Sequence, residues 1–281
     1  MSTGQTYVER LPPPALSGIV RTVWVQSTGG APYLQRNLPT GGAEIHCVPG
    51  AVPRLIGPLT TALPELLPPG TTVIGARLRP GALGRVCGVP ATALLDRVVP
   101  LDELWGTDGE RLAAAIGAAP DPVAALRQLK TALRERAAAR PADRVVAAAV
   151  ARLSVPDAGE IASLADDLAL SGSALRRRML QSVGTGPKVL QRTLRFQAYL
   201  ALTQRAGSAR AVPLPARFSH WAEVAGYADH PHLTRECRRL SGLNPTELLH
   251  GRDDRCACGH EHIASFGPLL ARADRLRGRA A

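Results

Sequence analysis

Short runs in which hydrophobic and polar residues alternate characterise the first hundred residues of the chain. A period near two with β-branched residues is typical of β-strands. Such runs cover residues 18–26 (GIVRTVWVQ), 43–48 (AEIHCV) and 71–79 (TTVIGARLR). Pro-Gly pairs bound the last run on both sides, as expected for a strand between two turns. The pattern predicts a β-rich domain over residues 1–108.

From residue 109 onward hydrophobic positions recur every three or four residues, which is typical of amphipathic helices. Pro122 is placed to open a helix that ends near Ala139. The Arg140-Pro141 pair then breaks the helix, because the residue before a proline is pushed out of the α region. We predict a helical connector over residues 109–140. Its main helix is either a spacer or dimerisation helix or a helix packed on its own domain, and periodicity does not separate the two.

Beyond residue 141 the pattern predicts only helices and short turns. The predicted helices cover residues 145–153, 159–168, 172–183, 187–204, 216–225, 231–241 and 245–250. Ser171 is placed to cap the third of them. The chain therefore predicts an α+β protein, with the β-rich domain followed by an all-α domain over residues 141–252 and a flexible tail over 253–281.

Two segments of the helical half, residues 161–190 and 218–248, repeat one order of elements. Each has a short amphipathic helix, a turn, an Arg-rich helix, a glycine and a Gly-Pro or Asn-Pro helix start. This order predicts helix-turn-helix units, in which the second helix lies in the major groove of DNA. The predicted helix between them, residues 187–204, would span about 27 Å, and successive major grooves on one face lie roughly 34 Å apart.

The position of the charged residues along the chain supports DNA binding more than their total does. The 281 residues have a net charge of +11, and all basic residues except Lys130 and Lys188 are arginine. GC-rich coding accounts for much of the Arg, Ala, Gly and Pro surplus, so the total is weak evidence. Residues 1–140 contain 14 Lys and Arg against 10 acids, whereas residues 171–252 contain 13 against four. A concentrated basic block supports phosphate binding.

At these segments the chain resembles the AraC/XylS family of bacterial transcription regulators. Residues 226–245, GYADHPHLTRECRRLSGLNP, are similar to the family signature, and residues 173–200 are similar to its partner unit. Three N-terminal stretches, LPTGGAEIHCV, PGTTVIGARLRPGAL and VPLDELWG, resemble the DUF6597-like N-terminal domain of an actinobacterial subgroup. The resemblance implies a regulator that binds a double-stranded DNA operator. RNA polymerase, a small-molecule effector and a second copy of the chain are its candidate partners.

The two recognition helices supply the candidate DNA contacts. Candidates for reading bases, since Arg can grip guanine O6 and N7, are Ser173, Arg176, Arg177, His230, His232 and Arg235. Candidates for phosphate contacts, which fix register without reading sequence, are Arg178, Lys188, Arg192, Arg238 and Arg239. The opposite faces, with Leu175, Met179, Leu233 and Cys237, are expected to be buried. For each arginine, a solvated surface position is the alternative.

The tail contains CACGHEH, in which Cys256, Cys258, His260 and His262 alternate with other residues. Four nitrogen and sulfur donors are weak candidates for a zinc site, because structural sites use C-x2-4-C spacing. A disordered tail is the alternative. We expect no metal and no cofactor.

Other function classes find little support. No Ser/His/Asp, paired-carboxylate or metallohydrolase pattern stands out, so we expect no enzyme. A DNA-repair methyl acceptor would need four clustered cysteines, and the N-terminal half has only Cys47 and Cys87. A non-specific architectural binder remains open and predicts a large salt slope with little sequence preference. Scattered cysteines, apolar runs shorter than a bilayer span and the absence of a signal pattern predict a cytoplasmic protein.

Overall fold

A computed structural model describes residues 5–154, 161–207, 221–249 and 264–266. Its fold is α+β, as the sequence predicts: an antiparallel sheet comes first and helices follow. The strands of the described part are β1 Thr6–Arg10, β2 Val20–Ser27, β3 Tyr33–Asn37, β4 Glu44–Cys47, β5 Arg54–Ile56, β6 Leu63–Leu67, β7 Thr72–Leu78 and β8 Val98–Pro100. Short 3-10 helices cover Pro14–Leu16 and Ala91–Leu94.

Six of these strands form one sheet in the order β1-β2-β7-β4-β5-β8, while β3 and β6 pair separately. The three strands predicted from the sequence correspond to β2, β4 and β7, which lie side by side at the centre of the sheet. Every residue of β4 is buried. By contrast, β1 alternates between exposed and half-buried residues, as expected for an edge strand.

The helices of the described part begin beside this sheet. They are α1 Leu83–Cys87, α2 Leu101–Trp105, α3 Thr107–Gly117, α4 Pro122–Ala138, α5 Arg144–Leu153, α6 Ile161–Asp167, α7 Gly172–Val183, α8 Pro187–Gly207, α9 His230–Ser241 and α10 Pro245–Leu249. Residues 221–224 are also helical. None of the helices in the described ranges is long and apolar enough to cross a membrane.

Helix α4 packs on the N-terminal sheet. The side chain of Leu129 on this helix is fully buried in the same cluster as Ile45, Ile74 and Leu78. Pro122 begins the helix and the Asp121 carboxylate caps it, accepting from the Ala124 N–H at 2.7 Å. One face of the helix is therefore packed on the sheet, while its predicted role as a spacer or dimerisation helix stays a prediction.

The N-terminal sheet and the helical half are in close contact. Gly41 has φ +80°, which favours glycine, and a Cβ atom added there would lie 2.8 Å from Leu190 Cδ1 of α8, so the loop and the helix approach closely at this point. Two turns further along α8, the Gln197 side chain donates to the Pro39 carbonyl at 2.8 Å. The loop before β4 is therefore seated directly on α8.

Candidate nucleic-acid interface

The first candidate unit consists of α6, a four-residue turn and α7. Ser171 has extended backbone angles and its hydroxyl accepts from the Ala174 N–H at 3.2 Å, which caps the start of α7. The helix ends at Gly184, whose φ is +87°. These ends are the predicted ones. In the turn, the Leu170 N–H donates to the Ala165 carbonyl at 3.0 Å and links the turn to the end of α6.

The second unit consists of helical residues 221–224, a turn and α9. The Asp229 carboxylate caps α9 by accepting from the His232 N–H at 2.6 Å. The helix begins at His230, one residue before the predicted start, and ends at Gly242 with φ +76°. The turn is closed by the Tyr227 N–H, which donates to the Ala222 carbonyl at 2.8 Å. Both units thus have a capped second helix.

The buried faces of α7 and α9 fix which side chains can reach outward. Leu175, Met179, Leu233 and Cys237 are all 0% exposed, which confirms the predicted inner faces. In the first unit they join a cluster with residues of α5, α6 and α8. In the second they join a cluster with Trp221, Phe196 and Tyr199. The opposite face of each helix is turned to solvent.

On α7 the outward face is basic. Ser173, Arg176 and Arg177 are exposed, and so is Lys188 at the start of α8. Arg178 is exposed as well, and its guanidinium lies 3.4 Å from the Asp143 carboxylate. An exposed pair at this distance contributes little to stability, so it does not hold Arg178 away from a stronger anion. The described geometry leaves all five side chains accessible to DNA, while their contacts stay predictions.

On α9 the outward face has His230, Arg235, Arg238 and Arg239, all exposed. His232 is half-buried and tied to the preceding turn. Its ring nitrogen Nδ1 accepts from the Ala228 N–H at 3.4 Å, and its ring meets that of Tyr227 edge-on at 5.3 Å. The predicted base contact of His232 therefore requires the other edge of the imidazole ring.

Arg192 occupies a different position from the other phosphate candidates. Its guanidinium makes two hydrogen bonds to the Glu236 carboxylate, at 2.6 and 2.8 Å, and joins α8 to α9. Burial alone would raise the pKa of Glu236, but the hydrogen bonds and charge of Arg192 outweigh it and lower the pKa. Sequence reasoning missed Glu236 because its partner lies 44 residues away. A phosphate contact by Arg192 would compete with this ion pair.

Replacing Arg192 by glutamine should lower the free energy of unfolding by about 1–3 kcal/mol, because the buried Glu236 loses a charged bidentate partner. Chemical denaturation followed by circular dichroism measures this loss. Arg238→Gln is the matched control: its exposed side chain should leave stability within about 0.5 kcal/mol and reduce the salt slope of DNA binding by about 1. Unchanged stability with a reduced slope in Arg192→Gln would instead favour the phosphate contact.

The spacing of the two units is set by α8. Its 21 residues correspond to about 31 Å, three residues longer than predicted and nearer to the 34 Å or so between successive major grooves. The stretch between α8 and the second unit, residues 208–220, lies outside the described residues. The spacing between the two units is therefore inferred from the length of α8.

The N-terminal half also contacts the second unit. The Arg36 guanidinium on β3 donates to the Ser241 carbonyl at 3.0 Å, at the C-terminal end of α9. Leu38, after the same strand, is buried in the hydrophobic cluster of the second unit. The orientation of α9 is thus linked to the N-terminal sheet by both a polar and an apolar contact.

A small cavity lies between the sheet and α8. Its volume is about 30 Å³, room for roughly one or two water molecules. Polar side chains of the sheet, among them Gln26, Glu44 and Arg77, line one side, and Gln197 and Leu200 of α8 line the other. The cavity therefore touches both halves of the chain.

Metal and thiol chemistry have little basis in the described residues. No cluster of three or more His, Cys, Asp or Glu suited to a metal occurs there, and the tail candidates Cys256, Cys258, His260 and His262 lie outside them. Burial raises the thiol pKa of Cys47 to about 12. Burial also raises that of Cys87, to about 11.

Comparison with known families matches part of the N-terminal half. A model described as a domain of unknown function (DUF6597) matches residues 8–100, about a third of the chain and the range of the six-stranded sheet. This confirms the expected DUF6597-like domain. No curated protein matches the sequence.

Comparison with solved structures finds ToxT of Vibrio cholerae. The apo form of a single-residue ToxT variant from strain SCE256 has 10% identity and a TM-score of 0.45, covering 85% of this chain and 98% of that one. ToxT from strain O395 has 9% identity and a TM-score of 0.44, covering 89% and 99%. Unsaturated fatty acid-bound wild-type ToxT has 9% identity and a TM-score of 0.39, covering 87% and 94%. At these values no role is transferred to this chain.

Proposed function

We propose that the protein is a sequence-specific DNA-binding transcription regulator of the AraC/XylS type that acts without catalysis. The observation that supports this best is the pair of helix-turn-helix units. In each, a capped second helix buries one apolar face and exposes basic side chains on the other. The family resemblance of residues 226–245 gives the same function. The expected location is the bacterial cytoplasm, and RNA polymerase and a second copy of the chain are proposed partners.

In this proposal the two helices enter successive major grooves on one face of the duplex. Arg176 and Arg235 are placed in the N-terminal halves of their helices and would grip guanines through paired donors. Lys188, Arg238 and Arg239 would contact phosphates on either side and supply affinity. Because the two units differ in sequence, the operator would be an asymmetric site.

Selection of bound sequences from a random DNA pool tests the proposal. The full-length protein should enrich one motif with two half-sites about 10 base pairs apart, which is roughly one helical turn. A pool that stays random after several rounds, with equal affinity for all duplexes, would instead favour the architectural alternative. A motif with only one half-site would limit base reading to a single unit.

An effector response is the second part of the proposal. A small molecule admitted between the sheet and α8, where the small cavity lies, would touch both halves of the chain. A ligand shifts a conformational equilibrium only if it binds the two states differently. A state in which the contact between the sheet and α8 is open and a state in which it is closed would differ in this way. Titration of the full chain with candidate metabolites, read out as a change in operator affinity, would detect it.

The methyl-acceptor alternative gains no support from the described cysteines. A methyl acceptor must present a reactive thiolate. Cys47 and Cys87 are buried, and burial raises both thiol pKa values well above neutrality.

A further inference from the structure

Residues 264–266, far beyond the second unit, dock on the N-terminal sheet. Ser265 is 1% exposed and all its polar groups are bonded. Its N–H donates to Glu9 Oε1 at 2.6 Å, and its hydroxyl donates to Glu9 Oε2 at 2.9 Å. The hydroxyl accepts from Arg77 Nη1 at 2.6 Å and lies 3.1 Å from the Thr22 hydroxyl. Its carbonyl accepts from Arg21 Nη2 at 2.9 Å and Nε at 3.2 Å.

The groups that hold Ser265 come from neighbouring strands of one sheet. Thr22 on β2 pairs with Arg77 on β7, which pairs with Glu44 on β4. Arg77 donates to the Glu44 carboxylate at 2.8 Å. Burial alone would raise the pKa of Glu44, but the charges and hydrogen bonds of Arg77 and His46 together outweigh burial and lower the pKa to about 2. The positive charge of Arg77 is therefore balanced by the negative charge of Glu44 on the neighbouring strand.

Among the side chains that hold Ser265, Arg21 on β2 depends most on the docked segment for hydrogen-bond acceptors. Burial and the charge of Arg77 lower its pKa to about 9. Apart from the Ser265 carbonyl, its hydrogen bond in the described residues goes to Gln197 Oε1 at a long 3.5 Å. A buried guanidinium needs acceptors, and a backbone carbonyl from the docked segment supplies one.

The neighbouring side chain anchors the segment on its other side. Phe266 is 4% exposed and belongs to the hydrophobic cluster that includes Phe196 and Tyr199 of α8. It also lines the cavity between the sheet and α8. The segment therefore fills a space between two parts of the chain, with a polar contact on the sheet and an apolar contact on the helix.

We propose that this face of the N-terminal sheet is a peptide-binding site, and that the chain occupies it with its own residues 264–266. The charged side chains bind the amide, hydroxyl and carbonyl of one serine, and the following aromatic side chain fills an apolar slot. Fourteen residues separate Leu249 from residue 264. Such a tether gives an effective concentration in the millimolar range, so weak intrinsic affinity suffices to keep the site filled. This inference goes beyond the proposed function and does not depend on it.

A fluorescein-labelled peptide of residues 262–268, HIASFGP, tests the proposal by fluorescence anisotropy with full-length protein. Ser265→Arg places a long charged side chain where there is no room and should expel the native segment. The labelled peptide should then bind this variant in a saturable way, at least tenfold more tightly than it binds the wild type. A peptide with arginine in place of its serine should not bind.

The matched control is Ser17→Arg, the same substitution at an exposed position of the N-terminal half, which should behave like the wild type. Phe266→Ala expels the segment by removing its apolar anchor and provides the same comparison if Ser265→Arg does not fold by circular dichroism. Equal peptide binding by wild type and folded variants, or no binding by any of them, would overturn the proposal. Since no DNA is present, failure of this test and failure of the proposed function are distinguishable.

Discussion

Replacing Arg176 and Arg235 together by alanine should remove most of the preference for the selected operator. Each arginine that reads a guanine contributes about 1–3 kcal/mol to binding, and contributions from separate base pairs add roughly. The double variant should therefore lose about 2–6 kcal/mol, or about 30-fold to about 10⁴-fold in affinity. The effect is large because both side chains are exposed on helices whose opposite faces are fully buried.

Anisotropy titrations with operator and random duplexes at one salt concentration measure this effect. The matched control is the double variant Arg127→Ala and Arg134→Ala, which removes the same charge from exposed positions of α4 and should leave operator affinity nearly unchanged. An equal loss of affinity for operator and random DNA would contradict base reading and assign both arginines to phosphate binding. The two single variants should each relax specificity at a different base pair.

Replacing Gly42 by alanine should lower the free energy of unfolding by about 3 kcal/mol, at the upper end of the range for overpacked sites. The added Cβ would lie 2.1 Å from the Leu78 carbonyl oxygen and 3.1 Å from the Arg79 carbonyl carbon. Both are backbone atoms beside a central strand, so no side chain can rotate away. Because Gly41 touches α8, the strain also displaces the contact between the two halves.

Urea denaturation monitored by circular dichroism, with linear extrapolation to water, measures the loss. Gly18→Ala is the matched control, since an added Cβ there meets no atom within 4 Å. It should leave stability unchanged within about 0.5 kcal/mol. Equal stability of the Gly42→Ala and Gly18→Ala proteins would show that the loop can move away and that its contact with α8 is not rigid.

Much of the fold can be predicted from the sequence where the information is local. Strands β2, β4 and β7 have β-branched alternation and turn residues at their ends, and α7 has a serine cap and a terminal glycine. The buried positions Leu175, Met179, Leu233 and Cys237 follow from helical spacing alone. Hence the elements of the candidate site and the direction of their side chains could be predicted.

The remaining features depend on residues that are distant in the chain. Strand β6, Leu63–Leu67, contains a proline and an acid, so its own sequence gives no clear strand pattern, and it forms by pairing with β3. The ion pair between Arg192 and Glu236 requires α8 and α9 to be packed first. Residues 264–266 belong to a predicted flexible tail, yet they dock because three charged side chains from different strands converge on Ser265. Such nonlocal contacts have no periodic signal.

The hydrogen bond from Arg36 to the Ser241 carbonyl makes the helical structure at the end of α9 depend on the N-terminal sheet as well as on the second unit. The last carbonyls of a helix have no partner within it and carry partial negative charge, and here a cation from the sheet satisfies one of them. Separation of the halves therefore frays the end of the very helix that would read DNA. By thermodynamic reciprocity, any duplex that orders α9 must strengthen the docking of the sheet by the same factor.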